Sequence, residues 1–209
     1  LRCRPLRRPC LVVRCGFVVF SSPGVVAVAG SRVLPASGLA LVAQVVPVLA
    51  AGGVSFAVGC CSGADAALLA LVSPSRVRCF AAFGSGGVGS GQFSAVAAVS
   101  AFSGSGGFVQ WWAGGSVFVP LRVRLARRTR AVVGAASVGL LVFFGSPNSR
   151  GSLLACQCAV LRGLPVVAFP CGFSGALLPS LGSGSWVAVG GTGVWSSAFL
   201  WVQTQQKCI

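Results

Sequence analysis

The sequence predicts an α/β fold of three layers, with a mostly parallel sheet between helices. Three observations carry this. Short runs of Val, Ala, Leu and Phe, bounded by Gly and Pro, alternate with longer apolar stretches of helical length. The runs read as continuous rather than alternating hydrophobics, as parallel strands covered on both faces do. Every polar motif falls at the C-terminal end of a run or at the start of the next helix, where ligands sit in such sheets.

In order, VVAVAG (25–30) reads as a strand and LALVAQVVPVLAAG (39–52) as a helix, with Pro47 a defect in it. VSFAVGC (54–60) is a strand, ADAALLALV (64–72) a helix and RVRCFAAF (76–83) a strand. GSGGVGSG is a loop and QFSAVAAVSAF (92–102) a helix. GFVQWWAGGSVFV (107–119) is ambiguous, with room for a short strand. LRVRLARRTRAVVGAAS (121–137) is a helix and GLLVFFG (139–145) a strand. RGSLLACQCAVLRG (150–163) is a helix, PVVAFPC (165–171) a strand and WVAVGG (186–191) a last strand. The organisation expected is a basic leader over 1–24, disordered or non-native, one domain over 25–202, and a polar tail over 203–209.

Composition narrows the chemistry. The formal charge is +15, Asp65 is the only acidic residue, and His, Tyr and Met are absent. Ten amino acids require an adenine in the codon. They supply only 14 of the 209 residues, and six of those lie in the last seven, QTQQKCI. The coding strand is therefore adenine-poor. That bias alone raises Val, Leu, Phe, Ala, Gly, Cys and Arg, and a spurious reading frame would share it; the ordered motifs argue against that. A start without Met fits a fragment or a misassigned start. With one carboxylate, a two-carboxylate acid/base mechanism is excluded. With no His, so is a Ser-His-Asp or Cys-His arrangement.

The ten cysteines (3, 10, 15, 60, 61, 79, 156, 158, 171 and 208) form no C-x-x-C. They read as small buried hydrophobes, against a Cys-only metal site or a disulfide set; no metal and no cofactor is expected. A reducing cytoplasm fits this usage.

Uncharged stretches over Val33–Ala64, Cys79–Leu121 and Gly163–Gln206 each exceed the ~20 residues that span a bilayer. A multi-pass membrane protein is thus one alternative. Internal Pro and Gly break these stretches into runs suited to a globular core, so a membrane partner is not expected. The Arg-rich start resembles the charged region of a signal peptide, but Arg14 interrupts its apolar part.

Four motifs carry the functional expectation. AGSR (29–32) ends the first strand; Gly30 permits a tight turn, while Ser31 and Arg32 offer a hydroxyl and a forked cation to phosphate. GCCSGADAALLA (59–70) places Gly59, Ser62 and Gly63 before a helix whose N-terminal amides attract anions. Asp65 falls in the first turn, as a cap or as a ribose or base ligand. RTRAVVGAAS (128–137) brings Arg128 and Arg130, and SPNSRGSLLACQC (146–158) brings Ser149, Gly151 and Ser152 to another helix start.

The order G-S-R, then G-x-x-S-G-A-D-A-A, then R-x-R-A-V-V-G-A, then S-x-G-S-L-x-A and P-V-x-A-F-P-C-G resembles the DNA processing protein A (Smf) family from Val25 to Gly172. More broadly it is similar to the SLOG superfamily, which includes the Lonely guy phosphoribohydrolases. The resemblance implies a Rossmann-like three-layer fold. It implies one pocket lined by Gly30, Ser31, Arg32, Ser62, Gly63, Asp65, Arg128, Arg130, Ser149, Gly151 and Ser152. It implies a nucleotide or single-stranded nucleic acid as partner and a relation to DNA processing and recombination mediators; a homodimer is a further candidate assembly. Thr129 stands where the family has Asn, and the His that follows its Asp is missing. Lonely guy enzymes use P-G-G-x-G-T-x-x-E; here S-P-N-S-R-G-S-L-L has no Glu, which argues against N-glycosidic cleavage. The expectation is binding without catalysis, with phosphoribohydrolysis the enzyme alternative.

Two features remain. GSGGVG (84–89) is a formal G-x-G-x-x-G, but no acid follows Asp65 to hold a ribose, so it reads as a loop rather than a dinucleotide fingerprint. Among Arg122, Arg124, Arg127, Arg128 and Arg130, the helical period puts 124, 127 and 128 on one face; they read either as a solvated face or as part of a positive surface field that favours polyanions. Trp111 and Trp112 are either base-stacking platforms or core.

Overall fold

The structure is a computed structural model that describes residues 20, 23–190 and 192–204. Nearly all of the leader, Cys3, Cys10, Cys15, Cys208 and residues 205–209 lie outside the described residues.

Eight strands form one sheet: β1 (Val25–Gly30), β2 (Ser55–Val58), β3 (Val77–Phe80), β4 (Phe108–Gln110), β5 (Gly139–Phe144), β6 (Val166–Pro170), β7 (Gly184–Ala188) and β8 (Phe199–Gln203). Their order is β4-β3-β2-β1-β5-β6-β8-β7. From β4 to β6 every pairing is parallel; β8 runs antiparallel to both β6 and β7. Among the described residues five α-helices connect the strands: α1 (Ala36–Ala51), α2 (Ala64–Leu71), α3 (Phe93–Gly104), α4 (Leu121–Gly134) and α5 (Arg150–Leu161).

The period of two within each strand divides the core. Val26, Val28, Leu141, Phe143, Val167 and Phe169 face one side, where α1, α2 and α3 cover them with Val42, Val45, Leu68 and Val99. Ala27, Leu140, Val142, Phe144 and Val166 face the other, under Val132, Val133, Ala155 and Ala159 of α4 and α5. All six residues of β5 are buried, which is why its sequence is an unbroken apolar run. The fold is the expected Rossmann-like three-layer arrangement.

The chain leaves β1 toward β2, β3 and β4, then returns to β5 on the other side of β1. The order therefore reverses between β1 and β5, and a crevice opens there at the C-terminal ends of the strands.

Local departures have physical reasons. α1 begins at Ala36, three residues earlier than the apolar pattern, behind an extended Pro35. Pro47 remains inside it on the exposed face, where water can serve the carbonyl it leaves unpaired. Of the ambiguous stretch 107–119 only Phe108–Gln110 is strand. β8 is an additional strand, and Gln203 is its last residue. α4 ends at Gly134, where Arg162 donates its guanidinium to the carbonyls of Val133 and Ala136. Among the described residues, no helix is long and apolar enough to cross a membrane. Cys60, Cys61, Cys79, Cys156 and Cys171 are buried free thiols and Cys158 is a half-buried one.

Candidate anion-binding cleft

The crevice at the β1–β5 reversal is a cleft of about 580 Å³, within the range of small-molecule sites. Four segments form it. The end of β1 brings Gly30 and Arg32; the loop into α2 brings Cys61 and Asp65; α4 brings Arg122, Arg128 and Thr129; the start of α5 brings Ser149, Arg150 and Gly151. Apolar side chains, among them Val28, Leu125 and Leu154, complete the wall.

β1 can end here because Gly30 has no side chain. A Cβ would run into Ala64 and lie 3.0 Å from the Phe143 carbonyl oxygen. Ser31 then turns inward and is 8% exposed. Its Oγ accepts from the Gly145 amide at 2.7 Å and donates to Ser149 Oγ at 3.2 Å. Ser149 and Ser152 hydroxyls meet at 2.9 Å. Three hydroxyls thus tie the ends of β1 and β5 to the first turn of α5, with only Ser149 of the three on the cleft wall.

On the opposite wall, Gly63 precedes α2 with φ +72°. Its missing side chain admits the Ser31 carbonyl, and Ser62 Oγ donates to the Arg32 carbonyl at 3.1 Å. Asp65 does not cap α2. Its Oδ2 reaches back to accept the Cys61 amide at 3.0 Å. Gly59 leaves room for both the Arg128 guanidinium and the Asp65 carboxylate.

Arg128 crosses to this wall from α4. Its Nη1 stands 3.6 Å from Asp65 Oδ2, and its Nη2 donates to Cys61 Sγ at 2.8 Å. Its Nε is buried and has no partner among the described residues. Burial pushes the Asp65 carboxyl up to about 7, against the pull of Arg128. The helix dipole alone would have kept Asp65 firmly ionised, so desolvation wins here. A hydrogen bond from Cys60 and the charges of Arg128 and Arg32 hold the Cys61 thiol down to about 5, while Cys60 is raised.

The expected site residues therefore divide. Gly30, Arg32, Asp65, Arg128, Ser149 and Gly151 share the cleft wall. Ser31, Ser152, Gly59, Ser62 and Gly63 stand behind it as supports. Arg130 is exposed and lies outside it. Of the expected face of 124, 127 and 128 only Arg127 is exposed; Arg124 and Arg128 turn inward. Arg124 is 4% exposed and donates to the carbonyls of Val119, Ala82 and Gly89, with its guanidinium 5.1 Å from the Trp112 ring centre. Trp111 packs near Phe83. Neither tryptophan lines the cleft.

Cys61, Arg122 and Arg150 were not expected in the cleft. Arg150 had a signal, since it stands between Ser149 and Gly151 at a helix start. Cys61 had none, because an apolar environment is the ordinary one for cysteine. Among the described residues no cluster of metal-ligating side chains occurs.

No protein-family profile matches this chain, and no curated protein does. Solved structures that share its fold include two of DNA processing protein A. DNA processing protein A from Helicobacter pylori, a single-stranded DNA-binding protein, superposes with a TM-score of 0.60 at 15% identity, over 72% of this chain and 67% of that one. DNA processing protein A from Streptococcus pneumoniae gives 0.52 at 24% identity, over 76% of this chain and 54% of that one. This chain thus spans about half the length of the second, and it shares the α/β fold of both.

Proposed function

We propose that this chain is a SLOG-type binding domain that holds the phosphate of a nucleotide or of single-stranded nucleic acid at the β1–β5 cleft, without turnover. The observation that carries the reading is the cleft's charge: Arg32, Arg122, Arg128 and Arg150 against Asp65 alone. Arg32, Arg122 and Arg150 are exposed at its mouth, where forked guanidinium groups suit phosphate oxygens. The apolar wall at Leu125 and Leu154 suits a base or sugar. The shared fold with a single-stranded DNA-binding protein supports the same class of ligand.

Binding of a fluorescent oligo-dT, followed by anisotropy against salt, tests this. Arg122→Ala and Arg150→Ala should each weaken binding and lower the salt slope by about 0.7, one phosphate contact on a single strand. Arg76→Ala and Arg78→Ala alter exposed cations away from the cleft and should change neither. Equal losses in all four variants would mean diffuse charge attraction only.

One observation favours the enzyme alternative. A carboxyl raised to about 7 is well matched to proton transfer at neutral pH. Asp65 is, however, 3% exposed and already engaged by the Cys61 amide and Arg128, which leaves it poorly placed to activate water.

A further inference from the structure

We propose that Cys61 is a covalent modification site: its sulfur takes small, soft electrophiles and peroxides that enter the cleft. The placement is independent of what ligand the cleft holds. Cys61 is on the cleft wall, and its Sγ is the acceptor for Arg128 Nη2 at 2.8 Å. Arg128 is 7% exposed on the same wall, and the donation of its Nη2 to Cys61 Sγ favours the thiolate over the thiol. The groups facing Cys61 are Arg128 from α4, Arg32 from the end of β1, Asp65 from α2, Cys60 beside it and Cys79 from β3. Two cations and a donating thiol outweigh burial and the neighbouring carboxyl, and Cys61 is shifted down to about 5.

The other thiols differ in the same terms. Burial pushes Cys79 up to about 12 and Cys171 up to about 11 and raises Cys156 further, while the hydrogen bond with Cys61, then burial, raises Cys60. Cys158 is half-buried on α5. Reactivity follows the thiolate, so Cys61 is singled out among the described cysteines.

The chemistry balances simply. With iodoacetamide the Cys61 thiolate forms an S–C bond, the C–I bond breaks and iodide leaves. With hydrogen peroxide the sulfur bonds one oxygen, the O–O bond breaks and hydroxide leaves. The sulfur is oxidised by two electrons to sulfenic acid and the peroxide is reduced. Either adduct takes space beside Arg128 and Arg32, so modification and anion binding should exclude each other. This last clause alone rests on the function proposed above.

The experiment is limited iodoacetamide labelling of the folded, full chain at pH 6, read by peptide mass spectrometry. An ordinary thiol is about 0.3% thiolate at that pH, given a free value of about 8.5. Cys61 should label about five- to tenfold faster than Cys158, after allowing for the lower nucleophilicity of a low-pKa thiolate. Its rate should level off above pH 6. Arg32→Gln, a change at an exposed residue, should move that midpoint upward. Labelling of Cys61 no faster than Cys158, or a rate still climbing through pH 8.5, overturns the proposal, as does a midpoint unmoved by Arg32→Gln. Oligo-dT should slow the labelling. If oligo-dT does not bind while Cys61 still labels selectively, the modification site stands and the nucleic-acid reading falls.

Discussion

Arg128 and Asp65 meet at 3.6 Å from helices on opposite faces of the sheet. α2 packs on one core and α4 on the other, so their side chains touch only past the strand ends. The sole carboxylate of the chain is thereby an internal counterion, and the pair fastens the two helical layers together at the cleft. Both side chains are nearly buried.

Removing one partner should therefore cost more than a surface pair would. At pH 9, where Asp65 is ionised, Arg128→Ala leaves a buried carboxylate without its cation and should lower unfolding stability by about 3–5 kcal/mol. Asp65→Asn added to Arg128→Ala should recover part of that loss. Urea unfolding of the two variants and the wild type decides it. A loss below about 1 kcal/mol in Arg128→Ala would place the pair with solvent-screened ion pairs.

The pH dependence has two opposite components. Asp65 is raised from 3.8 to about 7, so the folded chain holds this proton more tightly than the unfolded one. Its contribution is fully present below pH 4 and is lost as pH rises through 7. Cys61 is lowered from 9.0 to about 5, so its contribution is present above pH 9 and is lost as pH falls through 5. Relative to Asp65→Asn, the wild type should gain stability from pH 8 to pH 4. Relative to Cys61→Ser, it should lose stability from pH 9 to pH 5. Urea midpoints at four pH values read both; parallel curves for either variant would remove that group from the account.

Two glycines with nearly the same backbone angle separate strain from collision. Gly63 and Gly86 have φ of +72° and +71°. A side chain at Gly63 would strike the Ser31 carbonyl, whereas nothing lies within 4 Å at Gly86. Gly86→Ala should cost about 1 kcal/mol, the backbone component alone. Gly63→Ala should cost clearly more and also weaken oligonucleotide binding, because Ser31 and Arg32 would have to shift. Equal costs would show that the Ser31 turn relaxes freely.

Catalysis is tested by incubating the protein with nucleoside monophosphates and chromatographing for free base. No release is expected. Release that disappears in Asp65→Asn would favour the phosphoribohydrolase alternative.

The parallel half of the fold was legible because its strands are buried on both faces. β1, β5 and β6 appear in the sequence as apolar runs closed by Gly or Pro. β8 was hidden, since FLWVQ pairs antiparallel, is half exposed, and leads directly into the polar tail. The cleft was partly legible: motifs at strand ends marked Arg32, Asp65 and Ser149. Periodicity did not show that Arg124 and Arg128 turn inward, because arginine on a helix ordinarily faces water. Their spacing of four with Val132 places all three on one buried stripe. The state of Cys61 depends on cations from β1 and α4, residues distant in sequence, and no local pattern encodes it.

The placement of β8 between β6 and β7 matters during synthesis. β7 emerges first but borders only β8, and β6 has no neighbour on that side until Phe199–Gln203 arrives. A chain made from its N-terminus therefore completes most of a parallel sheet while one side of Val166–Pro170 still presents open backbone donors and acceptors. Such an edge invites pairing with another nascent chain. Of the described strands, the last to leave the ribosome is the one that closes it.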